Sequence, residues 1–227
     1  MSTTRVVARL LLAWSLMAAV VILVGTALTG PLAGSVGAAD NDVEKWLAGH
    51  RSTSRTAVAQ SISLLGETTT QLVLVPLLLF VSWWWLRQVR PVVFLAVAAV
   101  GELAAYLLTV SIVSRARPPV PLLDTGLDPL HSYPSGHVAA AMATYGGLTV
   151  LCWTFGADPW RRLSVVLLLA PLMVALARLY LGVHHPTDVL VSLTFMSAWL
   201  AVTASVLLMR FPATSPVPAV DPRSPSR

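Results

Sequence analysis

Long uncharged apolar runs alternate with short polar connections along this chain. Residues 10–39, 68–86, 138–157 and 189–209 contain no Asp, Glu, Lys or Arg; the run 91–114 carries only Glu102, and 163–185 only Arg178. A helix needs about 20 apolar residues to cross the ~30 Å hydrocarbon core of a bilayer. The pattern therefore predicts six spans, at about 6–30, 62–86, 91–113, 136–156, 162–183 and 187–209. The expected fold is all-α: a polytopic membrane protein built as a six-transmembrane-helix bundle.

Between the first two spans, Val43, Trp46 and Leu47 recur at helical spacing among charges. This predicts a short amphipathic helix at the interface in the first outer loop. Arg5 and Arg9 before an apolar stretch also fit a signal peptide, but an h-region runs about 7–15 residues and this one is nearer 20, so a retained helix is expected. Residues 1–209 read as one membrane domain. The tail, 210–227, is rich in Pro and Ser and is expected to be disordered and cytoplasmic.

Composition narrows the class. Apolar residues make up 56% of the chain and charged residues 11%, against roughly 25% charged in a soluble domain. Mean hydropathy is +0.75. A water-facing globule, a secreted disulfide scaffold and a disordered chain are all disfavoured. The single Cys152 cannot form an intramolecular disulfide. A net charge of +5 would suggest nucleic acid in a soluble protein, but here the cations flank apolar runs, as the positive-inside rule requires, and no nucleic-acid partner is expected. With the N-terminus inside, Arg5, Arg9, Arg87, Arg90, Arg161, Arg162 and Arg210 fall on the cytoplasmic side, with Arg223 and Arg227 in the tail. Lys45, Arg51, Arg55, Arg115, Arg117 and Arg178 fall outside. Trp83, Trp84 and Trp85 beside Arg87 read as an aromatic belt at the inner leaflet.

Polar residues capable of chemistry are scarce, so their positions carry information. Three groups stand out: Arg115-Ala-Arg117-Pro118, Tyr133-Pro134-Ser135-Gly136-His137, and Arg178 through Asp188. All three fall at one membrane face, in the connections between spans 3 and 4 and spans 5 and 6. Ser135 is placed to N-cap a helix whose first turn contains Gly136 and His137. A helix N-terminus suits a phosphate oxyanion, and a histidine beside it can protonate a leaving oxygen. Gly182 is expected to end span 5 and Pro186 to open span 6. An arginine inside a span faces a partner or a polar cavity by default, which directs Arg178 toward an anion. His184 and Asp188 are four apart, so the carboxylate can accept from one imidazole nitrogen and leave the other free to attack. His185 reads as a bystander and Tyr133 as a packing residue at the rim. Glu102 is too deep to touch a surface phosphate, and Glu67 either pairs with a site arginine or faces water. There is no HExxH, CxxC or acidic pair of metal-binding spacing, and neither metal nor cofactor is expected.

In these residues the chain resembles the type 2 phosphatidic acid phosphatase superfamily, the membrane lipid phosphatases related to vanadium haloperoxidases. The family pattern is Lys, six residues, Arg-Pro; then Pro-Ser-Gly-His; then Ser-Arg, five residues, His, three residues, Asp. Arg117-Pro118 matches the end of the first part, Pro134 to His137 the second, and Arg178, His184 and Asp188 the third. The resemblance covers about residues 60–209. It implies a metal-independent phosphatase acting on a lipid phosphomonoester or pyrophosphate (phosphatidate, phosphatidylglycerophosphate or polyprenyl pyrophosphate) through a phosphohistidine. By position, His184 would be the nucleophile, Asp188 its orienter and His137 the general acid. Arg117, Arg178, Ser135 and Gly136 would hold the phosphate. The resemblance also implies a site at the outer leaflet of the cell membrane.

Two positions depart from the pattern. Val110 stands where the family has Lys, and Ala177 stands where it has Ser. Arg115 is added to the phosphate-binding set because it can partly replace the missing charge. The alternative is a non-catalytic or transport-coupled lipid-phosphate binder, in which the loss at Val110 has removed turnover. Neither the lipid nor the oligomeric state is legible in the sequence.

Overall fold

The structure, a computed structural model, describes residues 2–208. The expected tail at 210–227 lies outside the described residues. Six helices are long and apolar enough to cross a membrane: α1 (Thr3–Thr29), α4 (Thr68–Leu86), α5 (Val89–Val110), α6 (Gly136–Phe155), α7 (Trp160–Tyr180) and α8 (Pro186–Leu207). Two shorter helices, α2 (Val36–Gly49) and α3 (Thr53–Ser63), fill the first loop. The six-span expectation agrees with this order.

The bundle is centred on α5, α6 and α8. Phe94, Leu95 and Ala98 of α5 pack with Met196, Trp199 and Leu200 of α8 and Ala139 and Ala143 of α6. Small residues let the helices approach closely, as in membranes generally. The Trp199 indole lies over Gly101 and donates to the Val97 carbonyl at 3.3 Å, while Trp14 of α1 donates to the Gly101 carbonyl at 2.8 Å. α1 thus packs as a member of the bundle against α5 and α8. By contrast α4 is peripheral, with Leu72, Val73 and Trp85 strongly exposed for a bilayer to cover. At its end the Arg87 guanidinium sits 4.7 Å from the Trp84 ring centroid.

The second span starts later than the apolar run predicts. Residues 53–63 form the separate helix α3, and a 3-10 turn at Leu64–Gly66 redirects the chain before α4 begins at Thr68. The reason is local. Gly66 lies directly against the backbone carbonyl of His137, where any Cβ would collide, so the chain turns there to clear α6. Further along, α6 widens into a π-helical turn at Met142–Gly146.

The helix in the first loop exists as expected, but it faces the protein with its polar side. Asp40 and Glu44 are buried, whereas Val43 and Trp46 are exposed. Its carboxylates meet α8 and the connection after α5, described next.

Candidate active site

Each motif is held by a different helix end, and the ends converge. α7 closes in a Schellman motif: Gly182 adopts φ +75°, its N–H bonds the Leu179 carbonyl at 2.8 Å, and the Val183 N–H bonds the Arg178 carbonyl at 3.3 Å. Only a residue free of the Cβ penalty sits easily in that conformation. The chain then reverses, and Pro186 opens α8 with His185 at the N-cap. The Asp188 carboxylate accepts from the His185 backbone N–H at 2.9 Å. This reversal carries Arg178, His184 and Asp188 to one end of the bundle.

His184 is buried and lines the cavity described below. Its Nδ1 lies 2.6 Å from the Ser132 carbonyl oxygen. A carbonyl only accepts, so Nδ1 carries the proton and the Nε2 lone pair is free in the neutral ring. The nearest Asp188 oxygen is 3.8 Å from Nδ1, beyond hydrogen-bonding distance. The expectation that Asp188 directly accepts from His184 is therefore corrected: the Ser132 carbonyl takes that place, because Asp188 is committed to capping α8. Asp188 instead receives the Ser132 hydroxyl at 2.6 Å and the Arg115 guanidinium. Burial pushes the His184 pKa below its ordinary value; Asp188 opposes that shift and Arg178 adds to it. The ring is thus held neutral, the form a nucleophile requires.

A cavity of about 450 Å³ brings together His137, His184, Arg117, Arg178 and Gly136. The rest of its lining is mostly apolar, with Leu72 and Val75 from α4 and Val100 and Leu103 from α5, but Gln71 and the buried Glu102 also reach it. Two guanidinium groups and three imidazoles, with His131 the third, thus share one mostly apolar cavity. Arg117 is held by three backbone carbonyls: Asp128 at 2.8 Å, Val183 at 2.5 Å and His131 at 3.1 Å. Arg178 donates to Ser63 Oγ at 2.9 Å and to Asp124 at 2.6 Å, while its Nε has no partner.

Several expectations need correction. Arg115 does not line the cavity. Both arms of its guanidinium are buried against carboxylates, Asp188 on one side and Asp40 at 2.7 Å on the other. Electroneutrality in a buried place draws it there, so it is not positioned as a phosphate ligand. Ser135 occupies the N-cap position of α6, but its buried hydroxyl makes no hydrogen bond to the protein and it does not line the cavity. Tyr133 is not at a rim: it is fully buried and donates to the Val21 carbonyl at 2.6 Å. Glu67 meets Thr69 at 3.3 Å and no site arginine. Val110 is not a cavity residue either.

Other cavity and support residues carry no signal in the motifs: Ser132, Asp40, His131 and Tyr106. For Asp40 a signal existed. Asp40 and Glu44 are four apart on a helix, hence on one face, with the exposed Trp46 on the other. Among the described residues, no three His, Cys, Asp or Glu side chains group as metal ligands.

A family model described as the PAP2 superfamily matches residues 90–212, more than half of the chain. The chain belongs to the PAP2 superfamily. Among solved structures, this PAP2 protein is similar to a transmembrane PAP2-type phosphatidylglycerolphosphate phosphatase from Bacillus subtilis. The TM-score is 0.73 at 20% identity, covering 89% of this chain and 97% of that one, a likeness of fold. A search of curated proteins gave no match. With its six apolar helices, this PAP2 protein is a multi-pass membrane protein.

Proposed function

We propose that this PAP2 protein is a membrane lipid phosphatase that hydrolyses a lipid phosphomonoester or pyrophosphate through a phosphohistidine at His184. The observation that carries this reading is one mostly apolar cavity that His184, His137, Arg117 and Arg178 line together. A lipid fits it with the phosphate among the cations and the chains against α4 and α5.

The proposed chemistry runs in two steps. His184 Nε2 attacks phosphorus while the bond from phosphorus to the leaving oxygen breaks. His137, in the first turn of α6, gives that oxygen its proton. Water then attacks the phosphohistidine, His137 takes the proton from water, the P–N bond breaks, and inorganic phosphate leaves. Arg117 and Arg178 neutralise the equatorial oxygens through both steps. Gly136 leaves room for the anion at the N-terminus of α6. The unpartnered Arg178 Nε is a donor left for it, since buried polar groups are seldom left unsatisfied. The reading needs no metal. It has the N-terminus in the cytoplasm and the site at the outer face of the cell membrane, a reading supported by the excess of arginine in the connections on the N-terminal side. Residues 1–209 act as one domain in this reading.

The test is phosphate release by the purified protein in detergent with EDTA present, from phosphatidate, phosphatidylglycerophosphate and polyprenyl pyrophosphate. Release from at least one lipid, abolished in His184→Ala, is expected. Equal release by His184→Ala overturns the mechanism, and binding of all three lipids without release favours the non-catalytic binder.

A further inference from the structure

Behind His184 lies a buried charge cluster that the residues of the three motifs do not complete. Arg115 is held between two carboxylates, Asp188 and Asp40, each almost fully enclosed. The Asp40 carboxylate also accepts the Thr187 hydroxyl at 2.5 Å and the Thr187 backbone N–H at 3.3 Å. Thr187 Oγ1 in turn receives Arg115 Nη1 at 2.7 Å. Asp40 belongs to α2, in the first loop, and lies outside the residues matched by the family model.

Two carboxylates around one guanidinium leave the cluster with one net negative charge. The neutral Arg115–Asp188 pair alone would have none. When His184 Nε2 bonds phosphorus, its proton stays on Nδ1, shared with the Ser132 carbonyl, and the ring becomes cationic. A residual negative charge in a poorly screened interior favours that cation. Asp40 also fixes where Arg115 points, and Arg115 fixes the Asp188 oxygen whose partner accepts the Ser132 hydroxyl. Ser132 carries the carbonyl that holds His184. The chain of contacts therefore runs from the first loop to the nucleophile without touching the cavity.

We propose that Asp40 is a positioning residue for His184, acting through Arg115, Asp188 and Ser132, and that the first-loop helix α2 is part of the catalytic apparatus. Its effect on turnover rests on the phosphatase reading above; its effect on the His184 ring does not. Asp40 touches no substrate, so the predicted signature is loss of kcat at nearly constant KM.

The experiment compares the full-length protein with Asp40→Asn and Thr187→Val, the second a milder change should the first not fold. Three quantities are read: kcat and KM for whichever lipid of the panel is hydrolysed, acid-labile phosphoenzyme formed in rapid quench, and the His184 ring nitrogens by NMR with 15N-histidine. Asp40→Asn is expected to lower kcat and phosphoenzyme formation about 100-fold, the scale of a small misplacement transmitted to a reacting group, with KM within about twofold. Thr187→Val should lose about tenfold with the same split, since it removes the two hydrogen bonds of one hydroxyl, to Asp40 and from Arg115, and leaves the Asp40–Arg115 ion pair. In either folded variant the Nδ1–H form of His184 should give way to a mixture of tautomers. If the unmodified protein releases no phosphate, the phosphatase reading fails while the NMR comparison still decides the positioning role. Unchanged His184 resonances in a folded variant, or kcat within about threefold of the unmodified enzyme, overturn the proposal.

Discussion

The Nδ1 atom of His184 lies 2.6 Å from the Ser132 carbonyl oxygen, while the nearest Asp188 oxygen stands 3.8 Å away. The histidine is therefore oriented by backbone. The carboxylate stabilises from behind, bonded to the hydroxyl of that same serine at 2.6 Å. Ser132→Ala keeps the carbonyl and removes the short bond to Asp188 and a longer contact with His185 Nδ1 at 3.4 Å, so its kcat should fall only about tenfold. Asp188→Asn removes the charge opposite Arg115, and its kcat should fall about a thousandfold or more. Steady-state assays of both variants check the order; a larger loss in Ser132→Ala would contradict it.

The acid limb of activity follows from the environment of His184. Burial lowers its pKa, and Arg178 pushes the same way against Asp188. Protonated His184 cannot attack, so kcat/KM should begin to fall only below the ordinary histidine value of 6.5. Arg178→Gln removes one of the depressing charges, and its acid limb should move upward toward 6.5, whatever its absolute rate. A pH profile of kcat/KM for both proteins measures this shift.

Glu44 links α2 to pH in the opposite sense. Burial drives its pKa from 4.5 up to about 8, opposed by Arg51 and assisted by Asp188 and Asp40. Both of its carboxylate oxygens lack partners. The folded protein thus holds a proton that the unfolded chain releases above about 4.5. The associated stability is fully present below that value and is lost as pH rises toward about 8. Glu44→Gln, which cannot ionise, should melt higher than the unmodified protein at pH 8 and converge with it near pH 4.5. Parallel melting curves across that window would falsify the assignment.

Asp124 holds Arg178 at 2.6 Å and is about one-third exposed (34%). An incoming phosphate competes with it for the same guanidinium. A partly exposed pair contributes up to about 1 kcal/mol, so Asp124→Asn should lower KM by up to about fivefold and leave kcat unchanged. A higher KM would instead make Asp124 a support that Arg178 needs.

Much of this site was legible because charge is rare in the chain. Arg178, His184 and Asp188 stand out within an apolar run, and the spacing from Gly182 to Pro186 shows that one helix ends and another begins there. Arg115 was misread for the same reason. A lone cation near a predicted phosphate site looks like a ligand until its partners are known, and Asp40, 75 residues away, cannot be paired with it from spacing.

Hydropathy by itself determined the six spans, since backbone groups in hydrocarbon must be satisfied within a helix and each span needs about 20 apolar residues. Local rules placed the helix ends that carry the motifs. Tertiary structure alone decided which face of α2 turns inward, which carbonyl holds His184, and whether each arginine meets phosphate or carboxylate. Those outcomes depend on competition among distant charged groups for few buried partners, and such competition leaves no periodic trace along a chain.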